Sequence, residues 1–292
     1  MASKRIGAAV IAIGMLAVGG YYGVKTVKGN VIRKEIDEAI AELPASVDVT
    51  YRKVDAPFWG NAADIYDIEV DDSSLDYNYT IERMSLRDVD VDNEVPRHLH
   101  VTLENIEIDQ NEWDEGLQVL GFGELFGTLE FQYRADEQAR TLESFTRYQV
   151  DGVGQIETSF SINDIELPTS WDAPAASSLF ESARLRHADV SYRDDSLIPR
   201  IYEAFAAEND ISVDETKQLA ASSLDRLSAL MGLSDPATTE AIAQVKQFAQ
   251  DPKRLYISVE PTPPLDLQEL AYTQPQGWPR LLNLKVRANQ SI

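Results

Sequence analysis

From Val47 to Leu167 the chain alternates apolar with polar residues in short runs, and this period of two most restricts its fold. Val47, Val49 and Tyr51 begin the pattern. Tyr77, Tyr79 and Ile81 continue it, followed by Leu99, Val101 and Leu103, then Leu129, Phe131 and Tyr133, then Ile156 to Ile162. Asp, Asn, Gly or Pro bounds most runs, as expected of strands that end in turns. A strand covered on both faces would be apolar throughout. One apolar and one polar face implies an antiparallel sheet with a single covered side.

Within these runs a shorter pattern recurs, in which two apolar residues stand three apart around an Asp, Asn or His. It occurs as Leu86-Arg-Asp-Val89, Leu103-Glu-Asn-Ile106, Ile162-Asn-Asp-Ile165 and Leu185-Arg-His-Ala188, and one residue out of phase around Tyr66-Asp-Ile68. Three apart breaks strict alternation, so the pattern predicts strands that carry a β-bulge, one extra residue that bends the sheet. The spacing between copies is irregular, which argues against a solenoid. The expectation is a long, curved antiparallel sheet.

Helical spacing frames this region. Asn30 to Leu43 places Ile32, Ile36, Ala39, Ile40 and Leu43 on one stripe before Pro44, and reads as an amphipathic stalk helix. After Pro174 three further helices are expected: Leu197–Glu208, Val213–Met231 and Thr238–Gln250. Asp195-Ser196 is the expected cap of the first, Ser212 with Glu215 forms a capping box for the second, and Asp235-Pro236 starts the third. Strands at Leu255–Val259 and Leu281–Val286 close the chain. The fold class is therefore α+β: an N-terminal transmembrane helix, then the curved sheet, with a C-terminal helical block packed on it. The expected boundaries are 1–28 for a cytoplasmic tail and anchor, 29–44 for the stalk, 45–172 for the sheet, and 173–292 for the helical block within the same domain.

The transmembrane expectation rests on Ile6 to Val24, nineteen residues without a charge between Arg5 and Lys25. As a helix they rise about 28 Å, close to the hydrocarbon thickness of a bilayer. Ile6, Ile11, Ile13, Leu16 and Val18 supply the apolar surface, and Tyr21 and Tyr22 stand where ring side chains favour the interface. Ala17-Val18-Gly19 leaves open a cleaved signal peptide. Basic residues flank both ends, but exporting the long acidic part behind an N-terminus held inside is the commoner arrangement. That gives a single-pass inner-membrane protein with its bulk in the periplasm.

Charge and residue types exclude several chemistries. There are 26 Lys and Arg against 49 Asp and Glu, a formal net charge of -23, which repels nucleic-acid phosphate. The chain has no cysteine, so disulfides and thiol chemistry are absent. His98 and His100 share a strand face, yet no third ligand stands near them in sequence, and a pair of solvated residues explains them better. Asp88, Asp90 and Asp92 open like a calcium loop, but Asn93 and Leu99 occupy the positions that need Gly and Glu. Gly121, Gly123 and Gly127 lack the spacing of a phosphate-binding loop. No catalytic residue, metal or cofactor is assigned, and a non-enzymatic role is expected.

The stretch from Val49-Thr-Tyr-Arg to Phe58-Trp-Gly60, the bulged Leu103-Glu-Asn-Ile-Glu-Ile, Val190-Ser-Tyr-Arg-Asp-Asp-Ser-Leu-Ile-Pro-Arg200, and Phe248 with Asp251-Pro252 and Pro261-Thr-Pro-Pro-Leu265 resemble bacterial YdgA-like and AsmA-like envelope proteins. The resemblance implies an inner-membrane anchor and a curled sheet whose apolar groove serves phospholipid traffic. This chain is far shorter than the long AsmA type, and at about 4.8 Å per strand its sheet spans only part of an envelope. On this reading Val89, Val91, Val101, Leu103, Ile106 and Ile108 line a groove for membrane lipid. The alternatives are that they form a plain core covered by the C-terminal helices, or that the chain is an envelope scaffold docking a protein partner through those helices.

Overall fold

The computed structural model describes residues 30–41, 43, 45–56, 62–73, 77–90, 92–93, 95–108, 119–167, 182–230, 235–273 and 277–290. The protein is an α+β fold built on an eleven-stranded antiparallel sheet. The strand order runs β1 to β9 and then β11, with β10 paired to β8 off that path. The chain forms two compact units. One reaches to Gln118 and includes Phe122–Arg134; the other contains Val119–Gly121 and Ala135–Ile292. The sequence boundary at 172/173 follows the change from strand to helix spacing. The structure divides elsewhere, because strands on both sides of that boundary pair with one another.

The first unit contains helix α1 (Asn30–Ala41) and strands β1 (Val47–Asp55), β2 (Ala63–Asp72), β3 (Tyr77–Arg87), β4 (His98–Ile108) and most of β5 (Leu125–Asp136). Its core joins Ile65, Ile68 and Val70 of β2, Ile81, Met84 and Leu86 of β3, and Val101 and Leu103 of β4 to Ile36 of α1 and to Leu43. The expected stalk is therefore part of this unit. Ile36 is wholly buried, so the helix is held by the sheet's apolar face rather than standing free of it.

The three-apart pattern marks a left-handed backbone. Asp67, Asp88, Asn105 and Asp164 all have φ between 47° and 57°. Asp and Asn tolerate that region better than other side chains carrying a Cβ. Arg52, Asp67, Glu82 and Asn105 stand at one level across β1 to β4, where each ladder skips a pair without changing register. The expected bulge thus becomes a level of skipped pairs shared by four strands, left-handed at Asp67 and Asn105, because each strand carries one additional residue at the same height. Only β5 lacks it, and the register shifts between Leu103 and Ile106 where β4 meets β5. The polar side of this level is paired: Arg52 with Asp67, and Asn105 with Glu82.

Val89 and Val91 were expected in a strand. β3 ends at Arg87, and Val89 is buried in the segment that follows it. The Asp90 carboxylate closes the loop there. It accepts hydrogen bonds from the Asp92 N–H at 3.0 Å, Asn93 Nδ2 at 2.8 Å and the Arg97 N–H at 2.7 Å. These bonds take up the carboxylate that resembled a calcium ligand.

The second unit pairs β6 (Thr141–Val150), β7 (Gly154–Asn163), β8 (Arg184–Asp194), β9 (Arg254–Val259) and β11 (Lys285–Ala288), with β10 (Leu265–Asp266) on β8. Helices α2 (Leu197–Asn209), α3 (Val213–Leu230) and α4 (Pro236–Gln250) lie close to their expected bounds, and α5 (Leu267–Tyr272) and α6 (Trp278–Leu281) are short. The capping box forms: the Glu215 N–H donates to Ser212 Oγ at 3.2 Å and the Ser212 N–H to Glu215 Oε2 at 2.8 Å. Asp235 accepts the Thr238 N–H at 3.0 Å. At α2 the cap differs from expectation. Asp194 takes the Ile198 N–H at 3.0 Å, while Ser196 Oγ donates to the Gly152 carbonyl. The C-terminal strand begins at Lys285 rather than Leu281, because α6 occupies the earlier residues.

β6 was not foreseen. Its alternation is masked because Ser144 and Thr146 occupy the apolar side, while Phe145 lies on the polar side with the Arg147 guanidinium 5.2 Å from its ring centre. β6 turns into β7 through Gly152, whose φ of 71° suits a residue without a Cβ. Gly154 is needed for a different reason: a Cβ there would lie 2.7 Å from the Arg193 carbonyl oxygen across the ladder. Gly154→Ala is expected to destabilise the second unit by about 1–3 kcal/mol, the usual cost of forced overpacking. The urea midpoint measures this, and an unchanged midpoint would refute it.

Candidate functional site

The structure does not form an open trough at the expected groove positions. Val89 and Leu103 have no exposed surface, Val101 is 5% exposed, and Ile106 packs against the same cluster. Val91 lies outside the described residues; Ile108 is placed in β4 opposite Tyr79 and Leu125. An alternating run identifies the residues sharing a face, and here that face is filled from within the first unit. The anchor residues Ile6, Ile11, Ile13, Leu16, Val18, Tyr21 and Tyr22 also lie outside the described residues. Among the described residues no helix is long and apolar enough to cross a membrane.

The open apolar surface belongs to the second unit. On β7, Ile156, Thr158 and Phe160 point to one face. Ile156 stands between Tyr148 of β6 and Tyr192 of β8, and Phe160 between Ser144 and Ala188. The face continues through Val190 of β8 and Ile257 of β9 to Val286 of β11. The opposite face is polar and internally paired: Arg147 with Glu157 at 2.7 Å, Ser159 with Asp189 at 2.6 Å, and His187 with Asp189 at 2.7 Å. His187 therefore serves the ladder that shifts register beside it, between Ser161 and Ile162.

Helix α4 covers one side of the apolar face. It packs on β9 and β11, the Ala288 N–H donates to Gln244 Oε1 at 2.9 Å, and the Phe248 ring meets the Tyr192 ring edge-on at 5.9 Å. Tyr192 is fixed from its other end by donating to Asp194 Oδ1 at 2.7 Å. Burial, reinforced by that carboxylate, raises its pKa, so it remains a neutral donor. Away from α4 the face is open at two positions of β7, while Val150 and Ile162 on the same side are buried. Ile156 is 39% and Phe160 37% exposed, although both lie mid-strand inside a ladder paired on each side. Large apolar side chains at such positions are usually covered. If the C-terminal helices covered a plain core, Leu219, Leu224, Leu227 and Phe248 would fill it; Phe248 is buried and Leu224 half-buried, whereas Leu219 and Leu227 are exposed.

The titratable clusters serve structure. His98 Nδ1 lies 2.6 Å from the Asp88 carbonyl oxygen, and His100 Nε2 lies 3.1 Å from Glu130 Oε1. Among the described residues no three His, Asp or Glu side chains gather as metal ligands. The glycine-rich turn is tied to α2, where Arg200 Nη1 donates to the carbonyls of Leu120 and Gly121 at 2.9 and 2.8 Å.

No curated protein matches the chain. A family profile described only as "Uncharacterized protein" matches residues 147–289, a span that lies within the second unit and contains Ile156, Phe160 and the cover formed by α4.

Proposed function

We propose that the protein is a non-enzymatic component of the cell envelope, anchored in the inner membrane by Ile6–Val24 with its bulk in the periplasm, and that it shelters lipid acyl chains on strand β7. The exposed pair Ile156 and Phe160 carries this reading, because they interrupt an otherwise covered apolar face and have small residues, Ser144 and Ala188, beside Phe160. Left-handed Asp67 in β2 and Asn105 in β4, with the register shift where β4 meets β5, support a curved sheet, since left-handed residues and bulges bend strands locally. The resemblance to AsmA-like and YdgA-like chains favours the same role, with the lipid surface moved from the first unit to the second.

The test uses full-length protein extracted in mild detergent. Phospholipid should co-purify and be detected by mass spectrometry, and a fluorescent acyl probe should bind. Ile156→Glu with Phe160→Glu should weaken probe binding at least tenfold. Fully burying one such side chain is worth about 1.5–3 kcal/mol, and about 1.4 kcal/mol corresponds to a factor of ten. Both positions are exposed, so the fold should tolerate the change. Wild-type protein free of lipid, or a double variant that binds the probe normally, would refute the assignment.

A scaffold role has its own observation in favour. Ile201 and Phe205 lie four apart on α2, and both are exposed. Crosslinking that captures a protein partner through α2, with no lipid in the preparation, would select that role.

A further inference from the structure

We infer that a cleft between α1 and β1 binds the zwitterionic phosphate–ammonium head group of a primary-amine phospholipid. The cleft is an open depression of about 490 Å³ lined by Arg33, Asp37, Ile40, Val49, Thr50 and Tyr51, all within the first unit. The inference rests on the membrane anchorage proposed above, which places α1 a few residues beyond the bilayer.

Three features define the ligand class. Arg33 and Asp37 lie four apart on α1, so one cation and one anion stand on the same helix face, about 5–6 Å apart at Cβ. A two-carbon linker separates the charges of an ethanolamine phosphate by a similar span. The Tyr51 hydroxyl donates to Asp37 Oδ1 at 2.5 Å, which fixes the carboxylate while leaving its second oxygen to accept from an ammonium group. Burial, then Asp37, raises the Tyr51 pKa to about 12, so Tyr51 adds no charge to the wall. Arg33 is exposed, and its forked guanidinium, which also reaches the Tyr51 hydroxyl, matches a phosphate. Ile40 gives the cleft an apolar side against which glycerol and ester carbons can rest.

This arrangement discriminates between lipids. A quaternary ammonium cannot donate a hydrogen bond to Asp37, and an anionic head group without an amine sets negative charge against Asp37 and offers it no donor beyond Tyr51. Binding should therefore favour phosphatidylethanolamine over phosphatidylcholine and phosphatidylglycerol.

Full-length protein in detergent is titrated with short-chain phosphatidylethanolamine, phosphatidylcholine and phosphatidylglycerol, and separately with free phosphoethanolamine, with retention read by native mass spectrometry. The expected preference for phosphatidylethanolamine is at least tenfold. Asp37→Asn, which still accepts from Tyr51, should abolish the preference over phosphatidylcholine. Arg33→Gln should weaken all three lipids, and Arg33→Lys should restore part of the loss. The Ile156→Glu, Phe160→Glu variant should keep the head-group preference even if it loses the acyl probe, so the two sites fail separately. Equal binding of the three lipids by wild type, a preference that survives Asp37→Asn, or free phosphoethanolamine binding as tightly as the lipid would each overturn the inference.

Discussion

Leu103→Ala is expected to cost the first unit about 2–5 kcal/mol, the range for emptying a fully packed leucine site. Leu103 has no exposed surface. It stands on β4 between Met84 of β3 and Leu129 of β5, with wholly buried Ile81 and Leu86 in the same cluster. Neighbours held in paired strands can relax only partly into the space left by three carbons, so the cavity persists. The experiment also separates a core from a trough. In an open trough the same substitution would widen the surface at a cost below about 1 kcal/mol, as expected of a site away from packed cores. Urea unfolding of full-length protein followed by far-ultraviolet dichroism measures the difference. Ile156→Ala on the exposed face is the internal control and should leave the midpoint nearly unchanged.

Asp90→Ala is expected to cost about 2–4 kcal/mol. A hydrogen bond to a charged group contributes about 1.5–3 kcal/mol, and the substitution strands two backbone donors, Asp92 N–H and Arg97 N–H. The same carboxylate makes stability depend on pH. Burial pushes its pKa up, but the bonds from Asn93, the Arg97 N–H and the Asp92 N–H outweigh burial and hold it below the usual 3.8. A pKa depressed by folding means that the ionised form stabilises the native state. The contribution is present in full above the unfolded value and is lost as pH falls through the folded one. Wild type should therefore exceed Asp90→Asn in stability at pH 7, and the gap should narrow only below about pH 4. A gap that is constant from pH 7 to pH 3 would show that the charge on Asp90 contributes nothing.

Local rules were legible where one residue type satisfies one backbone demand. Asp67, Asp88, Asn105 and Asp164 were visible because few side chains accept a left-handed φ, and Ser212, Glu215 and Asp235 because a helix start needs an acceptor. His187 shared the motif yet keeps an ordinary φ, the ladder shifting register around it instead. β6 escaped notice because Phe145 and Ser144 exchange the sides their polarity suggests. The functional surface was legible only as a class of residue. Val101 and Leu103 alternate just as Ile156 and Phe160 do, and spacing alone states which residues share a side. What rests against that side depends on α1 in the first unit and α4 in the second, elements joined to it only by tertiary packing. No run of residues announces that α4 reaches Tyr192 while Ile156 and Phe160 stay exposed.

The shared level of skipped pairs fixes how such a sheet can change over time. Sliding β2 or β4 by one position would force Ile68 or Ile106 into the left-handed site and turn every apolar side chain toward water. Single-residue insertions in these strands should therefore be eliminated by selection, whereas a duplicated hairpin that carries its own Asp or Asn at the matching height slots in without disturbance. A chain of this design lengthens in whole hairpins, and its short and long versions should differ by multiples of that unit.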